Sequence, residues 1–202
     1  IKTDIGEVAV ENLVVGDRVC ISDGRFEPIR WTAGRRIGAV RLAANPKLRP
    51  VRITEGALGN GLPRRNLVVS RQHRMLVSSK IAIRMFGVRE VLISAIKLTE
   101  LPGIYVDEDI QEVEYFHLLF DKHEVIFAED APTESLYTGP EALKAVSAQV
   151  RKEILTLFPE LADKDYTPEP AELLPSGKKQ KELVARHLKN AKVLLNNYTS
   201  PI

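Results

Sequence analysis

Apolar and polar residues alternate over short distances through the first two-thirds of the chain. Glu7-Val8-Ala9-Val10 has the in-and-out pattern of a half-buried strand. Val19-Cys20-Ile21 follows the turn Val15-Gly16-Asp17-Arg18 and stops at Ser22-Asp23-Gly24. Pro28-Ile29-Arg30-Trp31 reads as a further strand start. Arg52-Ile53-Thr54 and Leu67-Val68-Val69-Ser70 are rich in β-branched residues, and the Gly- and Pro-bearing stretch 56–63 separates them. Residues 75–77, 91–93, 113–119 and 124–128 fit the same pattern. Many short strands with turns between them predict a mainly β body, a sandwich or barrel-like arrangement.

The period changes after Thr138. Gly139-Pro140-Glu141 places proline at a helix start with an acid in its first turn. Leu143, Val146, Val150, Ile154, Leu157 and Phe158 then recur at helical spacing until Pro159. Residues 163–177 carry three prolines and read as a linker. Ser176 is placed to cap a last helix with Leu183, Val184, Leu188 and Leu195 on its apolar face. The expected plan is a β domain over 1–138 and a helical C-terminal extension over 139–202.

Composition narrows the function. At 202 residues the chain can bury one substantial core. A formal charge of +2 gives little long-range attraction for nucleic acid or an anionic membrane. No apolar run nears the roughly 20 residues a membrane span needs. The single Cys20 excludes an intrachain disulfide and a Cys-rich zinc site. Ile1-Lys2-Thr3 reads like the interior of a motif, which predicts an excised or processed piece.

Chemistry rests on the histidines. Of four, three fall in two strand-rich segments: His73 in Ser70-Arg71-Gln72-His73, and His117 and His123 in His117-Leu118-Leu119-Phe120-Asp121-Lys122-His123. On one uninterrupted strand His117, His123 and Asp121 share a face, where Asp121 orients an imidazole. His187, on the tail helix, is expected at the surface. Ser70 lacks the Gly-x-Ser-x-Gly elbow of a hydrolase nucleophile. Cys20 lies in a strand and reads as a buried, inert thiol.

These motifs resemble those of the Hint domain, the fold of inteins and Hedgehog autoprocessing domains. Ser70-Arg71-Gln72-His73 is similar to the family's Thr-x-x-His element, and Tyr115 to His123 resembles its late Tyr-Asp-Leu-x-Val-x-x-x-His strand. The opening Gly6-Glu7 through Val19, Pro28-Ile29-Arg30-Trp31, Gly56-Ala57-Leu58-Gly59 and Leu62-Pro63-Arg64-Arg65 follow a bacterial Hint subfamily in order, across about residues 1–140. The resemblance implies a horseshoe of short antiparallel strands with an α-helical tail. It also implies a secreted or cell-surface bacterial precursor.

For function, the resemblance implies an N-to-S acyl shift, through a thioester, at the domain's N-terminal junction. The upstream polypeptide is then both substrate and partner, and no cofactor is required. The nucleophile is expected in a Cys-Phe-x-x-Gly-Thr-like stretch immediately before Ile1. His73 becomes the general acid and Ser70 orients the junction; His117 assists thiol deprotonation, and His123 with Asp121 supports the site from behind. After Phe127-Ala128 the chain reads Glu129-Asp130-Ala131-Pro132, without the intein His-Asn pair, so cleavage is expected in place of splicing. Two alternatives stay open: a non-catalytic binding or scaffold module on the same fold, and a metal site of His73, His117 and His123.

Overall fold

The computed structural model describes residues 1–139, 148–163, 165–196 and 198. Four small sheets, antiparallel throughout, form the body. In the first, β1 (Lys2–Thr3) lies between β2 (Gly6–Glu7) and β3 (Arg18–Cys20), and β4 (Phe26–Pro28) pairs with β3. β5 (Trp31–Gly38) pairs with β11 (Glu112–Leu119) along its whole length, Trp31 opposite Leu119 and Ala33 opposite His117. β6 (Val51–Ile53) sits between β7 (Leu67–Val69) and β10 (Ile104–Val106). The fourth sheet carries the site. Its order is β12 (Val125–Ala128), β13 (Ala131–Glu134), β8 (Arg74–Ser78) and β9 (Glu90–Ser94).

Pro28-Ile29-Arg30-Trp31 is a handover between sheets, where the sequence pattern suggested one strand. The Ile29 N–H bonds to Asp17 of the first sheet's turn (2.9 Å), and the Arg30 N–H bonds to Leu119 of β11 (2.8 Å). Likewise the expected 7–10 strand pairs only at Glu7 and, with Ile1, at Val8, before the chain coils into a 3-10 turn at Val10–Asn12. Three short helices interrupt the body: α1 (Ala39–Ala44), α2 (Lys80–Phe86) and α3 (Ala95–Leu98). Each is too short to show a helical period in sequence.

The expected helix start at Pro140, Glu141, Leu143 and Val146 lies outside the described residues. From Ala148 the helix α4 (Ala148–Leu157) buries Ile154, with Phe158 beyond it, against Trp31 and Leu119. Glu153 accepts the Trp31 indole N–H at 3.1 Å. Leu157 faces out. The last helix, α5 (Gly177–Lys189), sends Leu183 and Val184 into the main apolar cluster with Met75, Val77, Val91 and Ile93. Leu188 is exposed, whereas Leu194 and Leu195 past the helix end are fully buried. Their N–H groups share the Leu58 carbonyl, and Ser78 donates to the Leu194 carbonyl at 3.0 Å. Gly59, at φ +99°, makes this docking possible: a Cβ there would meet Val193 at 2.5 Å. None of the described helices is long and apolar enough to cross a membrane.

The structure corrects the placement of His187, which is completely buried. Its Nδ1 is 3.0 Å from the Lys192 carbonyl, which only accepts, so Nδ1 carries the proton. Nε2 therefore accepts from the Ser79 hydroxyl at 3.0 Å, while Ser79 caps α2 by accepting the Ala82 N–H. Burial lowers the His187 pKa.

Folding thus favours the neutral ring, so the unfolded chain binds more protons once the pH drops below about 6.5. His73 and His117 are shifted the same way, again by burial. Stability should therefore fall between pH 7 and pH 5, at up to about 1.4 kcal/mol per pH unit for each proton involved. Melting curves should show His187→Gln with a shallower decline than the parent over that interval. An equal or steeper decline contradicts the assignment.

Candidate functional site

The turn 70–73 joins β7 to β8 and aims one imidazole. The His73 N–H bonds to the Ser70 carbonyl (3.1 Å) and to the Ser70 hydroxyl (3.2 Å). The His73 carbonyl accepts the Ala95 N–H (2.8 Å), and the Arg71 carbonyl the Ile96 N–H (3.0 Å). With its backbone held on both sides, the His73 ring reaches Thr133 on β13 through Nε2. The Thr133 hydroxyl also reaches the Arg74 carbonyl at 3.1 Å and the Met75 sulfur at 3.4 Å. When its proton goes to either, it offers His73 a lone pair, the ring proton sits on Nε2 and Nδ1 is the free base.

Next to Thr133, Glu134 is a carboxylate that sequence reasoning missed. Its Oε1 accepts the Arg74 backbone N–H and its Oε2 the Arg74 guanidinium, both at 2.8 Å. His123 lies on its other side, Nε2 3.4 Å from Oε2 and too poorly aligned for a full hydrogen bond. Burial alone would raise the Glu134 pKa. Contact with His123 and the charges of His73 and Arg74 outweigh it and hold the carboxyl below its usual value. Burial lowers the His73 pKa, and Glu134 partly restores it. Nothing in the sequence flagged Glu134, because a proline inside Ala131-Pro132-Thr133-Glu134 argues against a central strand. All four residues are nonetheless buried.

His117 sits on β11, on the face it shares with Leu119 and Tyr115, near enough for its charge to depress His73. Burial lowers its pKa, and Arg35 adds to the effect. Asp121 is a correction. β11 ends at Leu119, so His117 and His123 do not share a strand face, and Asp121 turns outward into an exposed ion pair with Arg30 at 3.2 Å. Glu134 is the carboxylate that meets His123. Among the described residues no group of three or more His, Cys, Asp or Glu side chains is placed to hold a metal ion. The Nδ1 of His123 is already occupied by the Ala171 N–H at 3.0 Å. Cys20 is buried, and burial raises its thiol pKa.

The amino terminus lies within electrostatic reach of the turn between β12 and β13. The Ile1 amine donates to the Val8 carbonyl at 2.7 Å and feels the charges of Glu129 and Asp130. Those two residues form the β12–β13 turn, both left-handed at φ 51° and 58°. Non-glycine residues reach that region at a cost of about 1 kcal/mol or more each. A bidentate Arg65–Glu129 pair (2.8 and 2.9 Å) and an Arg64–Asp130 pair hold the turn.

A family model described as Hint domain matches residues 1–140. No curated protein matches the chain. Among solved structures, the gp41-1 intein is similar at 15% identity, covering 66% of this chain and 91% of that one, with a TM-score of 0.40. The MchDnaB-1 intein is similar at 14% identity, covering 66% and 93%, with a TM-score of 0.40. The N145AA form of the latter gives 13%, 67%, 95% and 0.41.

Glu134→Gln keeps the shape and removes the charge. It should lower the His73 titration midpoint, since the carboxylate is what raises it. It should also cost about 1–3 kcal/mol by leaving Arg74 and His123 facing a neutral amide. A proton NMR titration checks the first effect and denaturant unfolding the second. A midpoint that stays put or rises contradicts the arrangement.

Proposed function

This chain belongs to the Hint domain family, and on that premise we propose that it cleaves its own amino-terminal junction through an acyl shift onto a nucleophile just upstream of Ile1. Family membership supports a self-processing domain. What carries the finer reading is His73, a ring with an open Nδ1 whose nearest anion, Glu134, is buried beside it.

In the proposed first step the upstream thiol loses its proton to a histidine, and its sulfur attacks the preceding carbonyl carbon. The C–S bond forms as the C–N bond breaks, and the departing nitrogen takes a proton from an imidazolium. A ring with a lowered pKa is neutral at the start and can accept the first proton. The Glu134 charge then stabilises the transient cation. His73 takes this role, with His117 assisting deprotonation. Ser70 fixes the turn that aims the ring and keeps its hydroxyl proton for the junction. Water or another nucleophile then attacks the thioester carbon and releases the upstream fragment, regenerating the thiol. After Phe127-Ala128 the chain reads Glu129-Asp130-Ala131-Pro132, without the His-Asn pair whose asparagine would cyclise, so the proposed reaction is cleavage without splicing. The processing unit is assigned to 1–138 and the extension to 139–202.

A polypeptide extended through the native upstream junction should split into two fragments on incubation, faster with hydroxylamine or a strong thiol. His73→Ala should slow this by about 10²–10⁴-fold, the usual value of a general acid–base group. Asp121→Asn should leave the rate unchanged. An intact mass that persists with the upstream nucleophile confirmed present, or a His73→Ala variant as fast as the parent, defeats the reading.

A further inference from the structure

The 163–177 stretch reads as a linker in sequence, yet its residues 168–174 run as a strap beside His123 and the β9 edge. Leu173 accepts the Leu92 N–H at the open edge of β9 (3.0 Å), and Ala171 and Leu174 pack on Leu76, Leu92 and Val125. Tyr137 pins the strap further upstream, its hydroxyl donating to the Pro168 carbonyl at 2.9 Å. The Tyr137 ring lies 4.9 Å from His123 and 6.0 Å from the Arg74 guanidinium. These anchors bring the Ala171 N–H to 3.0 Å from the His123 Nδ1.

A backbone N–H can only donate. His123 must therefore keep a lone pair on Nδ1 and its proton on Nε2, the nitrogen that faces Glu134. The opposite tautomer would set an N–H against an N–H and turn a bare nitrogen toward a buried carboxylate. We propose that Ala171 is a positioning residue of the processing site: its N–H locks His123 in the tautomer that faces Glu134, and so fixes the carboxylate beside Arg74 and His73. The family match ends at residue 140, so this contribution comes from the chain beyond it. Its catalytic consequence rests on the processing function proposed above, whereas the tautomer itself does not.

Long-range proton–nitrogen NMR on the 202-residue chain with labelled histidine reads the tautomer directly. His123 should show a bare Nδ1 and a protonated Nε2. Ala171→Pro, which deletes the N–H, should move a measurable share of the proton to Nδ1, while Ala171→Gly, which keeps the N–H, should match the parent. In the junction-extended polypeptide, Ala171→Pro should slow cleavage roughly tenfold or more, the size of effect seen when a group orienting a metal-bound histidine is lost, and Ala171→Gly should not. A protonated Nδ1 in the parent overturns the proposal without any variant, which keeps it testable even if the proline form fails to fold. A folded Ala171→Pro variant with parental tautomer and cleavage overturns it too. Absence of cleavage in the parent would defeat the processing function and leave the tautomer measurement to decide the contact.

Discussion

A charged carboxylate taken out of water costs several kcal/mol unless donors and cations meet it, and Glu134 is met on every side the structure describes. Its partners come from distant parts of the chain: the backbone and guanidinium of Arg74 on β8, and the ring of His123 in the loop before β12. Satisfying it requires β13 to insert between β8 and β12, and this same insertion delivers Thr133 to His73. The same strand placement thereby satisfies the buried charge and aims the candidate general acid.

The same sheet shows why the tail belongs to the working molecule. β9 would be an exposed edge without the strap at Leu173 and the burial of α5 along the main cluster. His187 ties this arrangement to the α2 cap through two hydrogen bonds, and burial favours its neutral ring. The helical part and the β part therefore share one apolar interior. A change in the tail reaches the site through Ala171, as well as through lost stability.

How much of this is legible beforehand depends on the range of the interaction. Strands 67–69, 113–119 and 125–128 show as short apolar runs in which β-branched and aromatic residues recur. Ser70 and His73 are readable because a tight turn links them, and both take part in that turn's hydrogen bonds. Asp121 misled for the same reason. Alternation carries a strand past its end, and only the bend after Leu119 decides that the side chain turns toward Arg30.

The amino-acid order by itself determined a body of short strands, a helical tail, the absence of an intrachain disulfide, and three histidines in two strand-rich segments, while the self-processing reading came from the resemblance those motifs carry. Tertiary structure alone decided that Glu134 replaces Asp121 beside His123, that His187 is buried, and that Ala171 of the proline-rich stretch reaches His123. Each of those facts depends on groups far apart in sequence whose burial is paid for jointly. A period of two or of 3.6 residues carries no record of which distant donor will meet a given carboxylate.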